Sequence, residues 1–343
     1  METRSVTSIT SLLHRRPTRI ALAAAATGGA LALFLAQTHP GRLWASLATL
    51  PTTSVLAAIA ATMAGVMLGA VRWRSLLAAG GVDAGVPRLF AALTIGSAVN
   101  NLVPARGGDA VRVESAHQLT GAPRSAVVGT MISERILDGF VLALLVVVGA
   151  LLEGIGGAFL WIGIVVAGAT VLGALVAARF GPRVLRGRLA GLESGLAVFR
   201  VPRAVAPALA ASAGIWLAEI VMYGALARGF HLGVSFGGIL LLVGAGNLAL
   251  AIPGAAAGLG SFELVTLAGA HGVGAHGPAL AAFVLAVHAV IVLPTTVTGA
   301  LLARIALPKT FRLRDPRPRR PLLPAPVVPA RVAVPARVVG VTR

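Results

Sequence analysis

Residues 100–112 read Asn100-Asn101-Leu102-Val103-Pro104-Ala105-Arg106-Gly107-Gly108-Asp109-Ala110-Val111-Arg112. An apolar run from about residue 89 ends here on a proline, two glycines and three charges. Proline removes a helix hydrogen bond and glycine permits a reversal. The stretch therefore reads as a helix broken inside an apolar segment. A second break has the same make-up: Pro253-Gly254 is followed by Gly258-Leu259-Gly260.

Around these breaks, apolar windows recur at about 20–38, 53–71, 89–103, 125–151, 155–178, 204–228, 236–252 and 278–303. A helix needs about 20 residues to cross the roughly 30 Å hydrocarbon layer. Composition agrees with a membrane protein. Of 343 residues, 57% are hydrophobic and 12% charged, and the mean hydropathy is +0.90. Soluble domains carry about 25% charged residues, so this chain cannot coat a water-facing surface of its size.

The net charge is +18, and much of it lies at the two ends. Arg4, Arg15, Arg16 and Arg19 stand against Glu2, and nine basic residues of 307–343 stand against Asp315. Basic ends flanking apolar runs mark the cytoplasmic side and meet anionic lipid, so no nucleic acid is expected as a partner. There is no cysteine, which excludes disulfides, thiolate metal sites and cysteine nucleophiles. His271 and His276 are too scattered for a zinc site, and neither a metal nor a cofactor is expected. The preference for Arg over Lys, with abundant Ala, Gly and Val, matches the coding bias of a GC-rich bacterial genome.

The positive-inside rule then favours one topology over the alternative of eight simple crossings. The first window leaves the cytoplasm, and the second returns to Arg72, Arg74 and Arg88. Arg179, Arg183, Arg186, Arg188, Arg200 and Arg203 also mark the inside. The linker at Glu153 must then lie outside, so 89–124 enters and leaves on one side. By the same parity, 229–277 begins and ends outside. The expected fold is an all-α polytopic bundle with two re-entrant broken-helix hairpins in an inverted repeat. Its halves are about 53–151 and 204–303, within a membrane domain of 19–306. Residues 1–18 form a basic cytoplasmic N-terminus, and 307–343 form a basic, Pro-rich, disordered tail. Leu185, Leu189, Leu192, Leu196 and Phe199 predict an amphipathic interfacial helix over about 182–200. The expected location is the bacterial inner membrane, with both termini cytoplasmic.

The Asn100–Arg112 stretch, Glu134-Arg135-Ile136-Leu137-Asp138, and Pro253 with Gly258-Leu259-Gly260-Ser261-Phe262-Glu263 together resemble the flippase-like transmembrane family of lysylphosphatidylglycerol synthases. The resemblance covers roughly residues 50–305. Asp109 stands where the family pattern has Glu, and His288 where relatives often carry Arg. The soluble aminoacyl-transferase domain of the full-length synthases has no counterpart, so lysyl transfer is not implied. The resemblance implies movement of a lipid between leaflets, the lipid being unspecified.

Charges inside the spans are the candidate site. Glu134 and Asp138 are one turn apart on one helix face, about ten residues into their span, with Arg135 between them. A mid-membrane charge costs roughly 2.5–3.5 kcal/mol on insertion scales, so these three need partners or a wet cavity. They form either an internal lock or a headgroup site. Arg106, Asp109, Arg112 and Glu114 lie at the first break, where guanidinium groups suit a phosphate. Glu219 lies mid-window and Glu263 at the second break, where a desolvated carboxyl could carry a proton. Asn247 reads as a helix-packing hydrogen bonder or a ligand. Ser261 completes the second break, and the setting for a Ser261–His288 protease dyad is absent. The expected cargo is an anionic or glycosylated lipid headgroup. A second copy or a lipid-modifying enzyme is the protein partner left open. The competing class is a membrane-embedded transferase on a lipid-linked substrate, using Asp109 or Glu134 as base.

Overall fold

The computed structural model describes residues 28–29, 32–34, 36, 40–103, 107–184, 190–251 and 258–307. They are helical, with α1 Pro40–Ala48, α2 Thr52–Ala79, α3 Val86–Leu102, α4 Gly107–Thr120 and α5 Arg124–Leu152. After these come α6 Ala158–Val184, α7 Ala190–Gly195, a 3-10 turn Ala197–Arg200 and α8 Pro202–Gly229. The chain closes with α9 Phe236–Ala251, α10 Ser261–Gly272 and α11 Leu280–Ala306. In hydrocarbon, a helix meets the backbone's hydrogen-bonding needs within one segment. Among the described residues five helices are long and apolar enough to cross a membrane, within α2, α5, α6, α8 and α11. The first window, 20–38, lies mostly outside the described residues, as do the N-terminus and the tail.

The repeat is sharper in three dimensions than in sequence. A shift of 150 residues carries Thr52 onto Pro202, Ala79 onto Gly229, and Val86 onto Phe236. The loop after each long helix closes in the same way. Val82 N–H bonds to Leu77 O at 3.0 Å, and Leu232 N–H to Ala227 O at 3.1 Å. The residue before the closing amide takes a left-handed backbone in both, Gly81 at φ 79° and His231 at φ 54°.

Helices α2 and α8 pack against each other in opposite directions. Arg72 meets Ser212 near one end, Gly65 faces Ile215 and Ala218 at the middle, and Ser54 stands beside Gly229 at the other. Each copy also lends its first short helix to the other copy: α3 packs on α11, and α9 packs on α5. This reciprocal exchange is what an inverted repeat about a two-fold axis produces.

The two expected hairpins fall on α3–α4 and α9–α10. These helices have 17 and 14 residues, and 16 and 12. At about 1.5 Å per residue none covers the hydrocarbon layer alone. Helix α4 folds back along α3: Asn100 Oδ1 accepts the Gly108 N–H at 2.8 Å, and Gly96 lies against Arg112. The turns themselves, 104–106 and 252–257, lie outside the described residues.

The segment expected as one amphipathic helix over 182–200 differs. Helix α6 runs on to Val184, residues 185–189 lie outside the described residues, and α7 is short. Leu196, Ala197 and Val198 are buried, and Ser133 Oγ donates to Gly195 O at 2.7 Å. Gly195 touches backbone at Gly129 and Thr130, so two glycines let α7 wedge against α5. Leu196, just past the end of α7, is turned toward protein by that close approach.

Candidate functional site

Between the two copies lies a cavity of about 300 Å³. It opens beside Gly65 and Gly69, whose missing side chains leave the space. One wall carries Arg72, Arg112, Glu134, Arg135 and Asp138 from the first copy. The other carries Glu219 and Asn247 from the second, and Thr295 of α11 completes the lining.

The first wall is an ion network. Arg72 is 6% exposed and sets two guanidinium nitrogens on the two oxygens of Asp138, the longer contact being 3.1 Å. It also donates to Ser212 Oγ at 3.0 Å and lies 3.9 Å from Glu134. Arg112 donates to Glu134 at 2.8 Å, and its guanidinium sits 4.0 Å over the Trp73 ring. Trp73 is fixed in turn by a 2.8 Å bond to Thr130 Oγ1. Taking single charges out of water costs several kcal/mol each, so the network persists because each charge has a partner. It is still incomplete: Arg72 Nε and Arg112 Nε are buried donors with no acceptor. A planar guanidinium with spare donors is suited to a phosphate or carboxylate.

The second wall is electrostatically different. Glu219 accepts a 2.7 Å bond from Asn247 Nδ2, which also donates to Val243 O. Among the described residues Glu219 has no salt-bridge partner. Arg135 is exposed at the rim and has no hydrogen bond or ion pair within the described residues. The cavity thus opposes a guanidinium-rich wall to a carboxylate–amide wall.

Six of the expected residues, Arg112, Glu134, Arg135, Asp138, Glu219 and Asn247, therefore line one cavity. Three others stand apart. Asp109 accepts from Asn100 Nδ2 at 2.9 Å and braces the first hairpin. Glu263 is 1% exposed, caps α10 through the Gly260 N–H at 2.7 Å, and pairs with His288 at 2.5 Å. Ser261 donates to Gly258 O at 2.9 Å. Its hydroxyl is thus engaged with Gly258 rather than with His288. Arg106 lies outside the described residues. Among the described residues no three His, Asp or Glu side chains gather as a metal site would require.

Arg72 departs from the sequence expectation. It counts there as a cytoplasmic marker beside Arg74 and Arg88, which are indeed exposed. In the structure α2 continues to Ala79, and Leu76 and Leu77 beyond Arg72 are buried. An apolar pair following a basic residue is the signal that it sits within a helix rather than at its end. Glu114 pairs with Arg124 at 2.7 Å outside the cavity, tying α4 to the start of α5.

The chain matches the family model of the lysylphosphatidylglycerol synthase TM region over residues 20–299. It is similar to a UPF0104 membrane protein of Methanothermobacter thermautotrophicus, with 31% identity over 128 residues. That stretch is 36% of this chain and 38% of the relative, so the chain matches well under half of that protein. No solved structure matches it. Helices, motifs and family match agree: the chain is a multi-pass membrane protein belonging to the family of the lysylphosphatidylglycerol synthase transmembrane region.

Proposed function

We propose that this chain moves a lipid headgroup between the two leaflets of a bacterial inner membrane, its acyl tails remaining in lipid. The observation that carries this reading is the charged cavity on the boundary between two inverted copies. Sites of alternating-access transporters lie at such boundaries, beside interrupted helices. In the proposal α3–α4 and α9–α10 are re-entrant and both termini are cytoplasmic. Residues 19–306 form the transporting domain, with basic ends on either side.

Without cargo, the guanidinium groups of Arg72 and Arg112 are held by Asp138 and Glu134. An arriving phosphate takes over those donors together with the two unpaired Nε–H groups. Arg135 at the rim and Arg106 at the first break guide the headgroup inward. Glu219 and Asn247 receive its hydroxyl or amine groups from the opposite wall. Asp109, Ser261 and Glu263 hold the hairpins that would shift as the copies exchange exposure.

A leaflet assay tests this. Purified chain in liposomes is supplied with fluorescent phosphatidylglycerol, phosphatidylethanolamine or a glycolipid, and outer-leaflet probe is quenched chemically. Movement of at least one probe, slowed roughly tenfold or more in Arg112→Ala, supports the reading. Equal rates for wild type and Arg112→Ala with every probe overturn it. Conversion of a nucleotide-sugar or acyl donor in detergent, where no leaflets exist, would favour the transferase instead.

A further inference from the structure

The short helix α1, Pro40–Ala48, has no part in the cavity. Its nine residues cover about 13 Å, far less than the hydrocarbon layer. The helix has three faces. Leu43 is buried, and Leu47 one turn on packs on the core around Phe230 and Phe283, which seats α1 on α11. At about 100° per residue, Trp44 and Ala48 share one flank of that contact. Arg42 and Ser46 share the other, and Thr49 just past the end bonds back to Ser46 O at 2.9 Å. Trp44 and Ala48 are exposed, as are Arg42 and Thr49. One flank is therefore apolar and the other polar, and neither has a partner from the bundle.

Contacts place α1 at one end of the bundle. Leu50, after α1, and Ser54 at the start of α2 stand beside Gly229 at the end of α8. Phe230 there meets Phe283 near the start of α11, with ring centres 6.4 Å apart. Ser235, just before α9, donates to Glu153 at the end of α5, and α6 begins shortly beyond. Among the described side chains, the large aromatic ones left exposed all lie at this end. They are Trp44 at 69%, Trp161 in the first turn of α6 at 65%, and Phe236 at the head of α9 at 63%. Exposed Arg74, Arg88, Arg203 and Arg304 mark the opposite end. Exposed tryptophan concentrates at the level of lipid headgroups, where its ring meets hydrocarbon and its N–H meets water.

We propose that α1 is an interfacial helix, lying along a phospholipid surface and fixing the depth of this end of the bundle. Leu43 and Leu47 hold it to the protein. The Trp44–Ala48 flank sits at the boundary of headgroups and acyl chains, and the Arg42–Thr49 flank faces water and lipid phosphates. Lying flat gives each flank its own solvent. An upright helix would put Arg42 and Trp44 within about 3 Å of the same depth, leaving one of them in the wrong medium. Pro40 at the head of α1 has no N–H to bond back to a helix before it, which favours a change of direction there. A protein partner would have to reach Trp44, Trp161 and Phe236 on three different helices, whereas a bilayer meets all three at one level.

The test uses the full chain, which has no cysteine, in bilayers of phosphatidylcholine and phosphatidylglycerol. A nitroxide is attached in turn to Arg42→Cys, Trp44→Cys, Ala48→Cys and Thr49→Cys. Paramagnetic resonance then measures its access to oxygen, which collects among acyl chains, and to a nickel chelate, which stays in water. The labels at 42 and 49 should favour nickel. Those at 44 and 48 should favour oxygen, at a depth of about 5–10 Å into the headgroup boundary. Nickel access at all four positions would put α1 off the membrane. Oxygen access at all four, with depth changing steadily along the helix, would make it part of a span. Access of neither reagent at 44 and 48 would mean that protein covers the flank. Each of these three results overturns the proposal.

A second measurement holds even if a labelled variant fails to fold. Trp73 and Trp216 are buried, so Trp44 and Trp161 supply the fluorescence that lipid can quench. Lipids brominated near the glycerol should quench the wild type more than lipids brominated near the chain ends. Trp44→Phe should lose roughly half of that quenchable signal, one of the two exposed tryptophans being gone. Equal quenching by the two lipids, or a Trp44→Phe protein quenched like the wild type, overturns the proposal. Neither measurement involves lipid movement, so the result bears on α1 alone.

Discussion

Arg72 grips both carboxylate oxygens of Asp138, 66 residues further along the chain, while the same guanidinium donates to Ser212 on the opposite copy. One side chain thereby ties α2, α5 and α8 together at the wall of the cavity. In the proposed function the lock and the binding group are the same residue, and mutation can separate the two roles.

Removing Asp138 leaves the buried Arg72 charge with only the longer 3.9 Å approach to Glu134, itself already paired with Arg112. Asp138→Ala should cost about 3 kcal/mol of stability, the low end for such pairs because Asp138 is 26% exposed. Replacing both partners by apolar residues of similar volume, in Arg72→Met with Asp138→Leu, should restore most of that stability. Lipid movement should not return with it. Unfolding in detergent and the leaflet assay, run on the same three proteins, check both statements. Full movement in the double variant would make the network a lock and nothing more.

The sequence made the helical membrane fold legible because lipid permits few alternatives. Pro104 and Pro253 located both broken segments without any tertiary information. Glu134, Asp138 and Glu219 stood out because hydrocarbon should exclude them. Arg72 did not, because a basic residue near the end of an apolar window has two readings. Only its pairing with Asp138, a tertiary fact, decides between them. The 150-residue repeat was faint for a related reason. His231 occupies the left-handed position that Gly81 fills in the first copy, so backbone geometry is kept where residue identity is not.

The proposed hairpins predict a labelling pattern. The chain has no cysteine, so each introduced thiol is a unique reporter. Asp83, Gln118, His231 and His276 are all exposed in the structure. With an impermeant thiol reagent on sealed, right-side-out cells, His231→Cys and His276→Cys should label. Asp83→Cys and Gln118→Cys should label only after the membrane is opened. If Asp83→Cys and Gln118→Cys react from opposite sides, α3–α4 is a full crossing instead.

Glu114 carries a pH dependence in α4, which is not among the five helices long and apolar enough to cross a membrane. Hydrogen bonds from Arg124, at 2.7 and 2.8 Å, hold its carboxyl below the ordinary carboxylate value; burial opposes this, and Gln118 adds to it. A carboxyl depressed in the folded state stabilises above its unfolded value, and that contribution is lost as pH falls through the folded one. Glu114→Gln should therefore flatten the acid limb of the unfolding midpoint, measured from roughly pH 7 down to pH 3. The difference should be small, because the Arg124 side chain is 41% exposed and water screens the pair. Parallel acid limbs for the two proteins would exclude Glu114 as their source.

Two glycines near the cavity should respond in opposite ways. A Cβ on Gly108 would come within 2.5 Å of Asn100 N and closer still to the Gly96 carbonyl, both backbone atoms with nowhere to go. Gly108→Ala should therefore splay α3 from α4 and cost about 1–3 kcal/mol, as overpacking does. Arg112 is one turn beyond Gly108, so the splay also draws its guanidinium off Glu134 and Trp73, and lipid movement should fall with stability. A Cβ on Gly69 would meet Leu93 Cδ2 at 3.7 Å, an ordinary contact. Gly69→Ala should keep wild-type stability or gain up to about 1 kcal/mol from helix propensity. Because Gly69 lines the cavity, its added methyl should slow the bulkier lipid probes before the smaller ones. A Gly108→Ala protein as stable as wild type would show that the hairpin is not held by this close approach, and Arg112 would then need another anchor.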